Sequence, residues 1–143
     1  MTAKHFLRAI REEQKELRIL QERKEEIYYS LFPGAIRYDK DNIQISPSDV
    51  MPEKVIKMTE LSGKIDEHIK RLVDRKSAAL DTIRHIDNSV YRQILVEYYL
   101  SAPRDGNMPS WLDVAEQLGY SEDWIKHLHG YALREFRKYF DIK

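Results

Sequence analysis

The side chains with the most to offer chemically lie in one run, SWLDVAEQLGYSEDWIKHLHGYALREF, from Ser110 to Phe136. What they offer is recognition by hydrogen bonding and charge rather than bond breaking. The chain contains no phosphate loop, no nucleophile elbow, no HExxH and no glycine-rich dinucleotide turn. His127 and His129 are two residues apart, so on a helix they do not share a face and make a poor metal pair. His5, His68 and His85 are scattered and read as surface or seam residues. The carboxylates alternate with Lys and Arg, as the charges of solvated helix surfaces do. No catalytic, cofactor or metal residue is expected, and the protein is not expected to be an enzyme.

The run itself has a recognisable order. Ser110 is an N-cap candidate for a helix from Trp111 to Leu118, with Asp113 three residues on as a weaker stand-in for the Glu of a capping box. Trp111, Leu112, Val114, Ala115 and Leu118 supply its buried face. Gly119 falls where a helix needs a left-handed residue to stop. Ser121 then caps a second helix running to about Tyr139, whose apolar face is Ile125, Leu128, Ala132, Leu133 and Phe136. A small residue at the crossing, a glycine turn and an amphipathic second helix are the features of a helix-turn-helix, in which the second helix enters the major groove. The same features also occur in bundles that do not bind DNA.

The elements that must position this run are helical too. Phe6, Ile10, Leu17, Leu20, Ile27 and Leu31 keep alternating spacings of three and four once Glu13 and Lys24 are counted, which is a heptad seam. The spacing predicts a helix from about Lys4 to Leu31, about 42 Å long at 1.5 Å per residue, ended by Pro33-Gly34. A second helix is predicted from about Glu53 to Ile86. Its seam is Val55, Met58, Ser62, Ile65, Ile69, Leu72, Lys76, Ala79, Ile83 and Ile86, eight of the ten being apolar. Residues 33 to 52 form a connector with Pro33, Pro47 and Pro52, in which Ala35–Tyr38 and Asn42–Ile45 are candidates for a short β-hairpin.

Two such helices suggest an antiparallel hairpin. Folding at about residue 43 sets Lys24 against Ser62 and Glu13 near Lys76. Those polar positions either fix the register, as polar core residues do in coiled coils, or snorkel out of a loose seam. A seam this long also suits a homodimer. After Ile86, Asn88 or Ser89 caps a helix from about Val90 to Leu100, and a loop with Pro103, Gly106 and Pro109 follows. The expected fold class is all-α. Residues 1–86 form a helical hairpin for oligomerisation or docking, and residues 87–143 form the helix-turn-helix domain.

The stretch from Tyr91 to Phe136 resembles region 4 of bacterial sigma factors. The resemblance is carried by Ile94-Leu95 and Tyr98-Tyr99, by Asp113-Val114-Ala115 and Leu118-Gly119, by Ser121, and by Ala132-Leu133-Arg134. The whole chain is similar to small phage and prophage late-gene regulators of the RinA/ArpU type, through YRQILVEYYL, SW, LGYS and LHGYAL. That resemblance covers about 50 residues well, the long second helix loosely and the connector hardly at all. It implies double-stranded DNA and RNA polymerase as partners and a phage late promoter as the place of action. It also places base reading at Glu122, Asp123, Lys126, His127 and Gly130. Glu and Asp accept from cytosine N4, and Lys donates to guanine. Ser121 and the free N–H groups at the helix start suit a phosphate, and Arg134, Arg137, Lys138 and the loop residue Arg104 are placed to reach flanking backbone.

Charge cuts the other way. The 24 basic and 24 acidic residues balance, so bulk electrostatics give DNA binding no support. From Ser89 onward there are 7 basic and 8 acidic residues. Glu122-Asp123 favours the helix dipole but repels phosphate, and both residues also read as plain caps on a solvated face. Two rival readings follow. One is a packaging protein resembling a small terminase subunit; the other is a polymerase- or sigma-binding module that no longer touches DNA. With no cysteine and no apolar run approaching the about 18 residues of a membrane span, a cytoplasmic protein without membrane contact is expected.

Overall fold

A computed structural model describes residues 2–31 and 50–140, with side chains from residue 53 in the second stretch. The expected β-hairpin at Ala35–Tyr38 and Asn42–Ile45 lies outside the described residues. Within them the fold is all-helical. Helix α1 spans Ala3–Leu31, α2 Val50–Ile83, α3 Ser89–Leu95, α4 Trp111–Leu118 and α5 Glu122–Phe140; α3 runs on as a π-helical turn over Val96–Leu100. No helix among the described residues is long and apolar enough to cross a membrane.

The chain divides into two compact units, residues 1–16 with 70–143 and residues 17–69. The boundaries of these units lie within both long helices. In the first unit, Ala3, Leu7 and Ile10 of α1 and Leu72, Ala79 and Ile83 of α2 are buried, as are Ile94, Leu95, Ile125 and Phe136 farther along the chain. In the second unit Leu31 and Ile65 are buried, with Leu20, Lys24, Ile27, Met58, Leu61 and Ser62 half-buried along the two helices.

The α1 seam follows its predicted spacing. Most of the α2 seam follows its predicted spacing too, with Ile65, Leu72, Ala79, Ile83 and Ile86 buried; Ile69 is 40% and Val55 44% exposed, and His68 is half-buried in place of Ile69. Helix α2 also ends at Ile83, three residues before the predicted Ile86. Ile86 still seats its side chain in the core, at 1% exposed. A turn closed by His85 N–H to Thr82 O at 3.1 Å and Ile86 N–H to Ile83 O at 2.9 Å carries the chain round. Arg92 then donates to the carbonyls of Ile86 and Asp87, giving partners to backbone oxygens of the link between α2 and α3.

Glu13 pairs with arginines beside Lys76 on α2. Its carboxylate, in a residue only 6% exposed, accepts from Arg71 Nε at 3.0 Å and from Arg75 Nη1 at 2.5 Å. The physical reason is reach and spacing. Arg71 and Arg75 are four apart and share a helix face, so two guanidinium groups address the two oxygens of one carboxylate. Lys76, one residue on, is partly buried, and that burial lowers its pKa.

Candidate nucleic-acid interface

Local chemistry at α3–α5 follows the sequence closely. Asn88 Oδ1 caps α3, accepting from Val90 N–H at 2.9 Å and Tyr91 N–H at 3.2 Å. Ser110 and Asp113 close a full capping box, Ser110 N–H to Asp113 Oδ2 at 2.9 Å and Asp113 N–H to Ser110 Oγ at 3.1 Å. Those bonds hold the Asp113 carboxyl below its ordinary pKa. Gly119 takes φ 77°, ψ 30° and donates to Ala115 O at 2.8 Å, as does Tyr120 at 3.0 Å. A side chain at φ 77° would be strained, so glycine stops α4 and frees the chain to turn. Ser121 Oγ then accepts from Trp124 N–H at 3.2 Å. Ile94, Val114, Ala115 and Ile125 form the buried joint between α3, α4 and α5, with Trp111, Leu118 and Leu128 packed around it.

With that side of α5 buried, the opposite side is free. Asp123, Trp124, Lys126, His127, Gly130, Tyr131, Arg134, Arg137 and Lys138 are all exposed. Most of the residues predicted to read bases or hold backbone therefore share one solvent-facing surface. Glu122 is half-buried at its edge and pairs with Lys126 at 3.3 Å. Lys138 pairs with Glu135 at 2.9 Å. Among the described residues, Arg134 and Arg137 have no carboxylate partner, which makes them the readiest cations on the helix. Ser121 is committed to its cap. Arg104 is not on this surface; it lies in the loop, bonded in both directions to the backbone of Asn107 at 2.9 Å, where its charge acts on Asp113.

The structure stacks Trp124 on His127 at 5.4 Å, sets His127 edge-on to Tyr131 at 5.1 Å, and places the Arg134 guanidinium over Tyr131 at 5.4 Å. The spacing 124, 127, 131, 134 was the available signal: it repeats by three and four and avoids every apolar core position of the helix. The outcome is a ladder of exposed planar groups along the outer face. Gly130 sits beside it in ordinary helical conformation, and a Cβ built there would meet nothing within 4 Å. The fold gives no reason for a glycine that costs a helix interior about 1 kcal/mol; close approach of a partner would.

A second cluster lies on the inner side. The Tyr98 ring stacks on Trp111 at 3.7 Å and 5°, and the Arg11 guanidinium lies over the Tyr98 ring at 4.0 Å from its centroid. Tyr99 Oη and His129 Nε2 are 2.6 Å apart. Tyr98 and Tyr99 lie in the last turn before the helix ends at Leu100, where carbonyls lack intrahelical partners, and Arg11 Nη1 reaches Tyr98 O at 2.7 Å while Gln14 Nε2 reaches Tyr99 O at 3.0 Å.

Burial, with Lys4 and Arg8 nearby, pushes the His129 imidazole down to about 4 from 6.5. A folded pKa below the unfolded one means that the unfolded chain binds the proton first. Stability is therefore full above about pH 6.5 and falls as pH drops towards 4. The expected loss is on the order of 2 kcal/mol, allowing for partial solvent contact at the ring. His129→Gln should flatten that part of a melting-temperature profile.

Compared with protein families, with curated proteins and with solved structures, the chain matches none of them.

Proposed function

We propose that the protein is a sequence-specific DNA-binding transcription regulator in which α4, the Gly119 turn and α5 act as a helix-turn-helix. The observation that carries this reading is the outer face of α5. It is a surface with Lys126, His127, Arg134 and Arg137 exposed and a glycine at its middle, on a helix held from behind by a buried joint. Major-groove recognition needs that combination of a rigid backbone and outward polar groups. By resemblance, the regulator acts at a phage late promoter with RNA polymerase. Helices α1 and α2 are read as an antiparallel coiled-coil hairpin, since Glu13 early in α1 meets Arg71 and Arg75 late in α2; this hairpin is the proposed dimerisation or docking element.

The test is binding of the purified protein to fragments of its own genomic neighbourhood, at two salt concentrations, with random DNA as competitor. Retention of one fragment, weakening as salt rises, is the expected result. Failure to retain any fragment at low salt overturns the reading. A second reading, a protein-interaction module, is favoured by one observation: Trp124 and Tyr131 are 48% and 39% exposed, and such aromatics are the usual anchors of protein interfaces. Pull-down of RNA polymerase without DNA, lost in Trp124→Ala, would decide for it.

A further inference from the structure

The DNA-binding reading leaves a deficit of charge. Residues 89–143 carry one more acid than base, and two of the four cations on α5 are tied to carboxylates. The missing charge is in α1. Ala3–Arg11 contains Lys4, Arg8 and Arg11 and no carboxylate, and these three line a cleft of about 390 Å³ with Glu12, Tyr98, Tyr99, Trp111 and His129. All of these residues belong to the same compact unit as α5.

Resting on the DNA-binding reading, we propose that Lys4, Arg8 and Arg11 form a second phosphate-binding surface, which grips the backbone of the duplex that α5 reads. Lys4 and Arg8 are four apart on one helix face, an arrangement of like charges that destabilises a helix. Neither has an ion-pair partner among the described residues. Arg11 is already fixed by the carbonyl and ring of Tyr98, so the cluster presents one rigid cation and two that are free to move. Their combined field is felt at His129, whose proton affinity Lys4 and Arg8 both lower. On α5, His129 lies three residues, close to one turn, from Lys126 and is half-buried, on the edge between the buried side and the outer face. A helix seated in a major groove about 12 Å wide has phosphates rising on both flanks. Cations carried on a neighbouring element of the same compact unit, at the edge of α5 marked by His129, would meet one of those flanks. Such contacts are indifferent to sequence; they position the protein and release counterions.

The experiment measures binding of the full chain to a random-sequence duplex and to its retained fragment over a range of salt. Three proteins are compared: the unaltered protein, Lys4→Ala/Arg8→Ala, and Lys4→Arg/Arg8→Lys. Both substituted side chains are exposed and unpaired, so all three should melt alike. Loss of two phosphate contacts should reduce the slope of log K against log salt by about 2. The reduction should be equal on both DNAs, with the preference for the fragment unchanged and the slope restored in the charge-conserving variant. An unchanged slope in a protein that binds DNA overturns this inference alone. No DNA binding by the unaltered protein overturns it together with the proposed function.

Discussion

Phe136→Ala should unfold the C-terminal helices at a much lower temperature than the unaltered protein. The ring is fully buried, at 0% exposed, and stacks on Phe140 at 5.6 Å, which itself meets Phe6 of α1 at 5.2 Å. Truncating a buried Phe costs about 3–5 kcal/mol, from lost transfer free energy and the cavity left behind. For a chain of this size each kcal/mol moves the midpoint by about 2–4 °C or more, so a fall of roughly 10 °C is expected in a thermal melt followed by circular dichroism. Phe6 and Phe140 belong to one aromatic chain with Phe136, so α1 should lose order along with α5. A melt in which α1 and α5 unfold in separate steps would contradict the packing of residues 1–16 into the first unit.

Arg134→Ala should leave that melt unchanged and damage recognition. Arg134 is exposed and its described contact is the Tyr131 ring, so removing it creates no cavity and orphans no buried group. If it donates to a base or a phosphate, its loss should cost about 1–3 kcal/mol, roughly 10- to 100-fold in affinity. The pattern of loss is informative. Relaxed preference between the retained fragment and random DNA identifies a base contact. Equal loss on both, with a shallower salt dependence, identifies a phosphate contact. Full affinity in both Arg134→Ala and Lys126→Ala would exclude direct readout by α5 and move the weight to the exposed Trp124 and Tyr131 as anchors for a protein partner.

The short-range features of this chain were legible residue by residue. Ser110 with Asp113, Gly119 and Ser121 state where α4 begins, where it stops and where α5 starts, because caps and left-handed stops depend on side chains within three or four positions. The three-four spacing of Phe6 to Leu31 states which side of α1 is inward, because helix periodicity is a property of the backbone. From these the all-helical class and the outward position of Asp123, Lys126, His127 and Arg134 follow, since burying Ile125, Ala132 and Phe136 leaves the opposite face to solvent.

What lay beyond the sequence is everything that joins distant segments. Glu13 could be matched with Lys76 by counting, but whether it meets Arg71, Arg75 or Lys76 depends on side-chain reach across two particular helices. The π-turn at Val96–Leu100 has no local signature, and the carbonyls of Tyr98 and Tyr99 within it are met by Arg11 and Gln14, more than eighty positions earlier. The same is true of the unit boundaries. A break in periodicity at Ile86 reads as a domain border, yet residues 1–16 and 70–86 pack with the C-terminal helices. Burial is a sum over the whole chain, and a stripe of apolar residues states that it will be covered without stating by what. The sequence by itself therefore determined the helices, their caps and the outward face of α5. Tertiary structure alone decided that the cations of α1 stand beside His129, because contacts across so many residues are chosen by the packing of the complete core.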